Sequence, residues 1–140
     1  MATSFTKNGD EYLWLRDKNF ESTDRPRCGI PILFPNCGKP DDGVHHFNGA
    51  AYPIEVHGLA DLVPWQVKSA DDTAIELTLT PNGLTKFVYP FDFALTMRYT
   101  LTGSTATLAL TVANTGRQGP AVQRRLPPVL RRQQAGQRRV

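Results

Sequence analysis

All three histidines of the chain, His45, His46 and His57, lie within residues 27–65, together with both cysteines, Cys28 and Cys37. Imidazole can donate or accept a proton near neutral pH, which suits it to acid–base work. A thiol can be a nucleophile, a metal ligand or half of a disulfide. Spacing narrows these options. The two cysteines are separated by eight residues, which is neither a zinc-knuckle nor a redox spacing. Both are therefore read as free thiols. His45 and His46 sit beside Asp41 and Asp42, without the spacing of a metal-ligand set. They are expected to be surface residues, and no metal is expected. His57, in the run His-Gly-Leu-Ala, reads by itself as a loop histidine satisfied by backbone.

The segment around these residues is too irregular for a helix. It carries Pro31, Pro35, Pro40, Pro53 and Pro64, each lacking a backbone donor. Residues 30–34 (IPILF) read as one buried strand interrupted at Pro31. The rest reads as a long connecting loop, and a loop of that length inside a domain is more often functional than idle. Regular elements flank it. Residues 11–15 (EYLWL) form an aromatic-rich strand candidate, and residues 65–69 begin another. Residues 73–80 alternate, with Ile75, Leu77 and Leu79 on one face, as a half-buried strand requires. Pro81-Asn82-Gly83 reads as a turn. Residues 93–101 alternate again, and Thr102-Gly103-Ser104 reads as a three-residue hairpin loop leading to residues 105–113. In that last strand Ala106, Leu108, Leu110 and Val112 are expected to point inward. An antiparallel meander with one wet face follows, in an all-β chain, most simply a β-sandwich.

At 140 residues, 40% of them hydrophobic and 21% charged, the chain has a globular composition. No apolar run is long enough for a membrane helix, and residues 1–12 lack the apolar core of a signal peptide. A cytoplasmic location and no membrane partner are expected. The net charge of +3 hides a division: the thirteen acidic groups all precede residue 117, whereas residues 117–140 hold seven Arg and five Gln and no acid. A partial β-sandwich domain over 1–116 and a basic, disordered tail over 117–140 are expected.

Gly-Ile-Pro-Ile-Leu-Phe-Pro at 29–35, a Tyr-Pro pair, His57-Gly58-Leu59-Ala60 and Pro64-Trp65 occur in that order. The series resembles the aldose 1-epimerase (galactose mutarotase-like) family, in its sugar and sugar-phosphate mutarotase branch, over about residues 11–115. The resemblance implies a large antiparallel β-sandwich and an isomerase that interconverts the α and β anomers of a hexose or hexose derivative. Such chemistry needs a proton donor and a proton acceptor but no metal or redox cofactor. It implies that His57 is a catalytic, sugar-contacting residue near the ring oxygen. It also implies Arg27, whose planar fork fits a hydroxyl or a phosphate, and Asn36 as substrate-binding residues. The small-molecule partner would be a sugar.

Two departures stand out. Leu59 and Asp61 occupy positions where the family commonly has Phe and Arg, and a negative rim disfavours a phosphorylated sugar. The family's later His-Pro-Tyr-Phe motif and glutamate are not written in this sequence. One coding of residues 122–130, read one nucleotide later, gives Phe-Ser-Ala-Gly-Phe-His-Pro-Tyr-Phe. The tail is therefore expected to be out-of-frame translation, and the chain to be truncated and weakly active or inactive. Two other readings stay open: a non-catalytic carbohydrate-binding sandwich, and a β-domain whose basic tail binds polyanions such as nucleic acid.

Overall fold

A computed structural model describes residues 1–14, 21 and 28–117. In chain order the elements are β1 (Thr6–Lys7), β2 (Asp10–Glu11), β3 (Val44–Phe47), β4 (Ala50–Pro53), β5 (Gln66–Ala70), β6 (Ala74–Leu79), α1 (Gly83–Val88), β7 (Phe93–Thr102) and β8 (Thr105–Asn114). β1–β2 and β3–β4 are separate hairpins, and β5-β6-β7-β8 is one antiparallel sheet in sequence order. The chain is thus antiparallel β with a single short helix among the described residues. No described helix is long and apolar enough to cross a membrane.

Register explains the packed face of the sheet. Leu79 pairs with Leu95 and Leu95 with Val112; Leu77 pairs with Met97 and Met97 with Leu110; Ile75 pairs with Tyr99 and Tyr99 with Leu108. Side chains alternate along each strand, so these partners stack as three apolar rows on one face. The other face is polar: Glu76 bonds Lys68 at 2.7 Å and Arg98 at 3.3 Å. Leu95 is completely buried. β8 pairs only with β7 among the described elements.

The 28–65 segment contributes to the core as well as to the surface. Ile32, Phe34, Leu59 and Ala60 are buried in one cluster with Leu79, Tyr89, Phe93, Leu95 and Met97. The Phe34 ring lies 5.3 Å from Tyr89, edge-on, and 5.0 Å from Phe93, within the range of favourable aromatic pairs. Burying a phenylalanine stabilises by about 1.5–3 kcal/mol, so Phe34 anchors the segment.

Several expectations are corrected. Residues 30–34 form no strand; Ile30 bridges Ala2 and Phe34 bridges Gly58, each in isolation. Pro31 and Pro35 interrupt the donors a continuous ladder would need. The 11–15 strand is replaced by the tight β1–β2 hairpin, which ends at Glu11; residue 15 lies outside the described residues. The expected long loop contains the β3–β4 hairpin. Both hairpins turn on Asn-Gly pairs, Asn8-Gly9 (φ 54 and 87) and Asn48-Gly49 (φ 50 and 80), and two-residue turns of this kind need positive φ at both positions. Gly83 opens α1 rather than closing a turn. Asn82 caps it by accepting from the Thr85 N–H, while the Thr85 hydroxyl accepts from the Asn82 N–H. The β7–β8 loop has two residues, since Thr102 pairs with Thr105. Ala106, at the turn end of β8, is exposed. The tail beyond residue 117 lies outside the described residues.

Candidate functional site

His57 sits in the turn between β4 and β5, half-buried, with φ of +70°. A left-handed backbone costs a non-glycine residue roughly 1–2 kcal/mol. Gly58 follows at φ +78°, and its Cα lies so close to Phe34 that a Cβ there would be 2.0 Å from the Phe34 carbonyl oxygen. Only glycine permits that approach. The surrounding backbone holds the turn: Phe34 N–H donates to the His57 carbonyl (3.3 Å), Leu59 N–H donates to the Phe34 carbonyl (2.7 Å), and His57 N–H donates to the Gly38 carbonyl (3.4 Å). Downstream, the Trp65 indole donates to the Ala60 carbonyl at 2.6 Å and closes the following turn.

The imidazole is oriented as well. Its Nδ1 lies 2.7 Å from the Cys37 carbonyl oxygen. A carbonyl only accepts, so Nδ1 carries the hydrogen. In the neutral ring Nε2 is then the bare nitrogen. A protonated ring would donate from Nε2.

Asn36 lies beneath this turn. Its amide nitrogen donates to the Gly38 carbonyl and, at 3.2 Å, to the Glu55 carbonyl. Its Oδ1 is buried and has no hydrogen-bond partner among the described residues. The structure thus brings His57 and Asn36 together. Arg27, the third expected site residue, lies outside the described residues. Leu59 is buried in the core and Asp61 is half-buried.

The other histidines sit apart in β3. Exposed His46 bonds Asp42 at 2.9 Å, and this bond, followed by the Val44 N–H, holds the Asp42 carboxyl below its usual range. His45 is half-buried rather than exposed, edge-on to Phe47 with ring centroids 5.6 Å apart. Burial pushes its imidazole down, opposed by the nearby Asp42 charge. Among the described residues, no group of three or more His, Cys, Asp or Glu could hold a metal.

Residue types alone did not point to a second feature. An open cleft of about 600 Å³ is walled by Phe47, Tyr52 and Phe91, with Asn48, Asp92 and Arg117 at its polar margin. Its size falls within the range of small-molecule sites. His57 does not line it. The Asn48-Gly49 turn was the available signal, because it predicts the hairpin that builds one wall.

The aldose 1-epimerase family model matches residues 2–122. The chain belongs to the aldose 1-epimerase family. A candidate glucose-6-phosphate 1-epimerase from Escherichia coli (strain K12) is 32% identical over 91 residues, covering 61% of this chain and 28% of that protein. Among solved structures, the Slr1438 protein from Synechocystis sp. PCC 6803 superposes with a TM-score of 0.77 at 32% identity, over 83% of this chain and 42% of that one. A galactose mutarotase-like protein from Lactobacillus casei ATCC 334 gives 0.67 at 32% identity, over 76% and 35%. A galactose mutarotase related enzyme from Lactobacillus acidophilus gives 0.67 at 27% identity, over 76% and 34%. The fold is therefore that of the galactose mutarotase-like β-sandwiches, and the chain spans less than half the length of these relatives.

Proposed function

We propose that this chain carries part of the sugar site of an aldose 1-epimerase, an isomerase that interconverts the α and β anomers of a hexose. The observation that carries this reading is His57: a non-glycine residue in a strained backbone, its Nδ1–H committed to the Cys37 carbonyl, which leaves Nε2 as the bare nitrogen of the neutral ring. Strain of this kind collects at functional sites.

In the proposed reaction a base removes the anomeric hydroxyl proton while an acid protonates the ring oxygen. The C1–O5 bond breaks, the aldehyde rotates, and closure on the other face reverses the proton movements. His57 serves at the ring oxygen. As an imidazolium it donates from Nε2; once that proton has passed, the same nitrogen is the acceptor that recovers it on closure. Arg27 would hold a hydroxyl. Asn36 has its amide donors engaged by backbone and its Oδ1 buried, so it would serve the sugar through the turn it holds and not by direct contact. Asp61, where the family commonly carries a cation, favours an unphosphorylated hexose.

A non-catalytic carbohydrate-binding role is the second reading. The aromatic walls and polar margin of the Phe47–Tyr52–Phe91 cleft favour it, since sugars bind through an apolar ring face and peripheral hydroxyls.

Polarimetry on fresh α-glucose, α-galactose and α-glucose 6-phosphate tests the primary reading. An incomplete acid–base pair typically costs about 10²–10⁴-fold in rate, so acceleration by the 140-residue chain is expected to be slight. His57→Ala is expected to abolish what remains and to weaken sugar binding. Binding unchanged by His57→Ala would remove His57 from the site and leave the aromatic cleft as the sugar-binding surface.

A further inference from the structure

We propose that Asn36 is a positioning residue for His57: its amide pins the 36–38 turn so that the Cys37 carbonyl accepts a hydrogen bond from Nδ1–H and Nε2 becomes the working nitrogen. This rests on the reading of His57 as the sugar-facing acid–base group.

The orientation of the Asn36 amide is fixed by its partners. Gly38 O and Glu55 O are both carbonyl oxygens, and only the NH₂ end can donate to them. A flipped amide would set three oxygens against one another. Both amide hydrogens are therefore spent on backbone. One target immediately follows Cys37, whose carbonyl orients the ring, and the other is two residues before His57. Asn36 thus ties together the two stretches of chain that carry the acceptor and the donor of the 2.7 Å His57–Cys37 bond. Gly38 O also receives the His57 N–H, so the same carbonyl locates backbone and side-chain anchor alike.

The remaining Asn36 atom sharpens the assignment. Oδ1 is buried without a partner among the described residues, and burying an unpaired acceptor is unfavourable. An apolar side chain of similar shape would avoid that cost. It could not supply the two N–H groups. The turn uses Asn36 for its donors, and their effect falls on the tautomer of His57.

Long-range ¹H–¹⁵N correlation spectra of the ¹⁵N-labelled 140-residue chain report which imidazole nitrogen carries hydrogen. In the neutral ring of the wild type, His57 is expected to show a pyrrole-type Nδ1 and a pyridine-type Nε2. Asn36→Ala is expected to move the tautomer ratio toward Nε2–H by about tenfold, the scale of one net hydrogen bond. Asn36→Ser, which can serve one carbonyl, should fall between. A mixed or Nε2–H wild-type ring overturns the proposal, as does an unchanged ratio in Asn36→Ala. Should that variant unfold, an unchanged ratio in Asn36→Ser overturns it equally. Titration with D-glucose separates the two readings: a shift at Nε2 and not at Nδ1 supports both. No response at His57, with the tautomer as expected, removes the sugar role and leaves the positioning intact.

Discussion

Replacing Gly58 by alanine isolates the contact that sets His57 in place. The added methyl would lie 2.0 Å from Phe34 O, 2.4 Å from the Phe34 carbonyl carbon and 2.7 Å from Pro35 Cδ. Backbone atoms cannot rotate away, so residues 34–35 and 57–59 must separate. The left-handed backbone itself costs alanine about 1–2 kcal/mol. Separation also loses the Leu59 N–H to Phe34 O bond and the Phe34 N–H to His57 O bond, at about 0.5–1.5 kcal/mol net each. The sum is about 2–5 kcal/mol, against a usual domain stability of about 5–15 kcal/mol. Gly49 supplies the control. It has φ of +80°, and a Cβ there meets nothing within 4 Å, so Gly49→Ala should cost only the backbone term of about 1–2 kcal/mol. Urea unfolding of both variants, compared at equal m-value, measures the difference. Equal losses at the two positions would refute the close approach as the restraint on the His57 turn.

Glu11 is held at a pKa of about 2, down from 4.5, by hydrogen bonds from the Ser4 hydroxyl and then from the Phe5 and Leu13 N–H groups. A depressed carboxylate stabilises fully above its unfolded value, so the β1–β2 hairpin should loosen as pH falls from about 4.5 to 2. NMR titration of the Phe5 and Leu13 amides should show this, and Glu11→Gln should abolish the dependence. The edge of β8, unpaired among the described residues, should associate with other copies; light scattering should find oligomers in the wild type and fewer after Thr111→Lys, placed on an exposed edge position. A monodisperse wild-type monomer would count against that edge being adhesive. Nucleotide sequencing across codons 116–130 is expected to reveal an overlapping frame encoding His-Pro-Tyr-Phe, and its absence would make the basic tail genuine.

The sheet was readable wherever side chains alternate across a buried and a wet face, as at Ile75, Leu77 and Leu79 or Phe93, Leu95 and Met97. β3 and β4 were hidden because Val-His-His-Phe and Ala-Ala-Tyr-Pro do not alternate in polarity, although the Asn48-Gly49 pair between them was a usable signal. α1 was hidden by its length: six residues are too few for a helical period, and its cap uses Thr85 where Glu or Gln is usual. The motif around His57 singled it out as a candidate. Its tautomer was not legible, because the group that fixes it is the Cys37 carbonyl, and backbone atoms are the same in every sequence. The role of Asn36 was hidden for the same reason.

Phe34 belongs to the aromatic core through its ring and to the His57 turn through its carbonyl and N–H. Core and site therefore share one residue, and the turn cannot relax without disturbing the packing of Tyr89 and Phe93. On the proposed reading, a sugar arriving at His57 would meet a conformation that folding has already selected. Little of its binding free energy is then diverted to ordering this part of the site. The same sharing sets a limit on engineering: a substitution that loosens the aromatic cluster will reduce the competent fraction at His57, so affinity and stability should fall together across such variants.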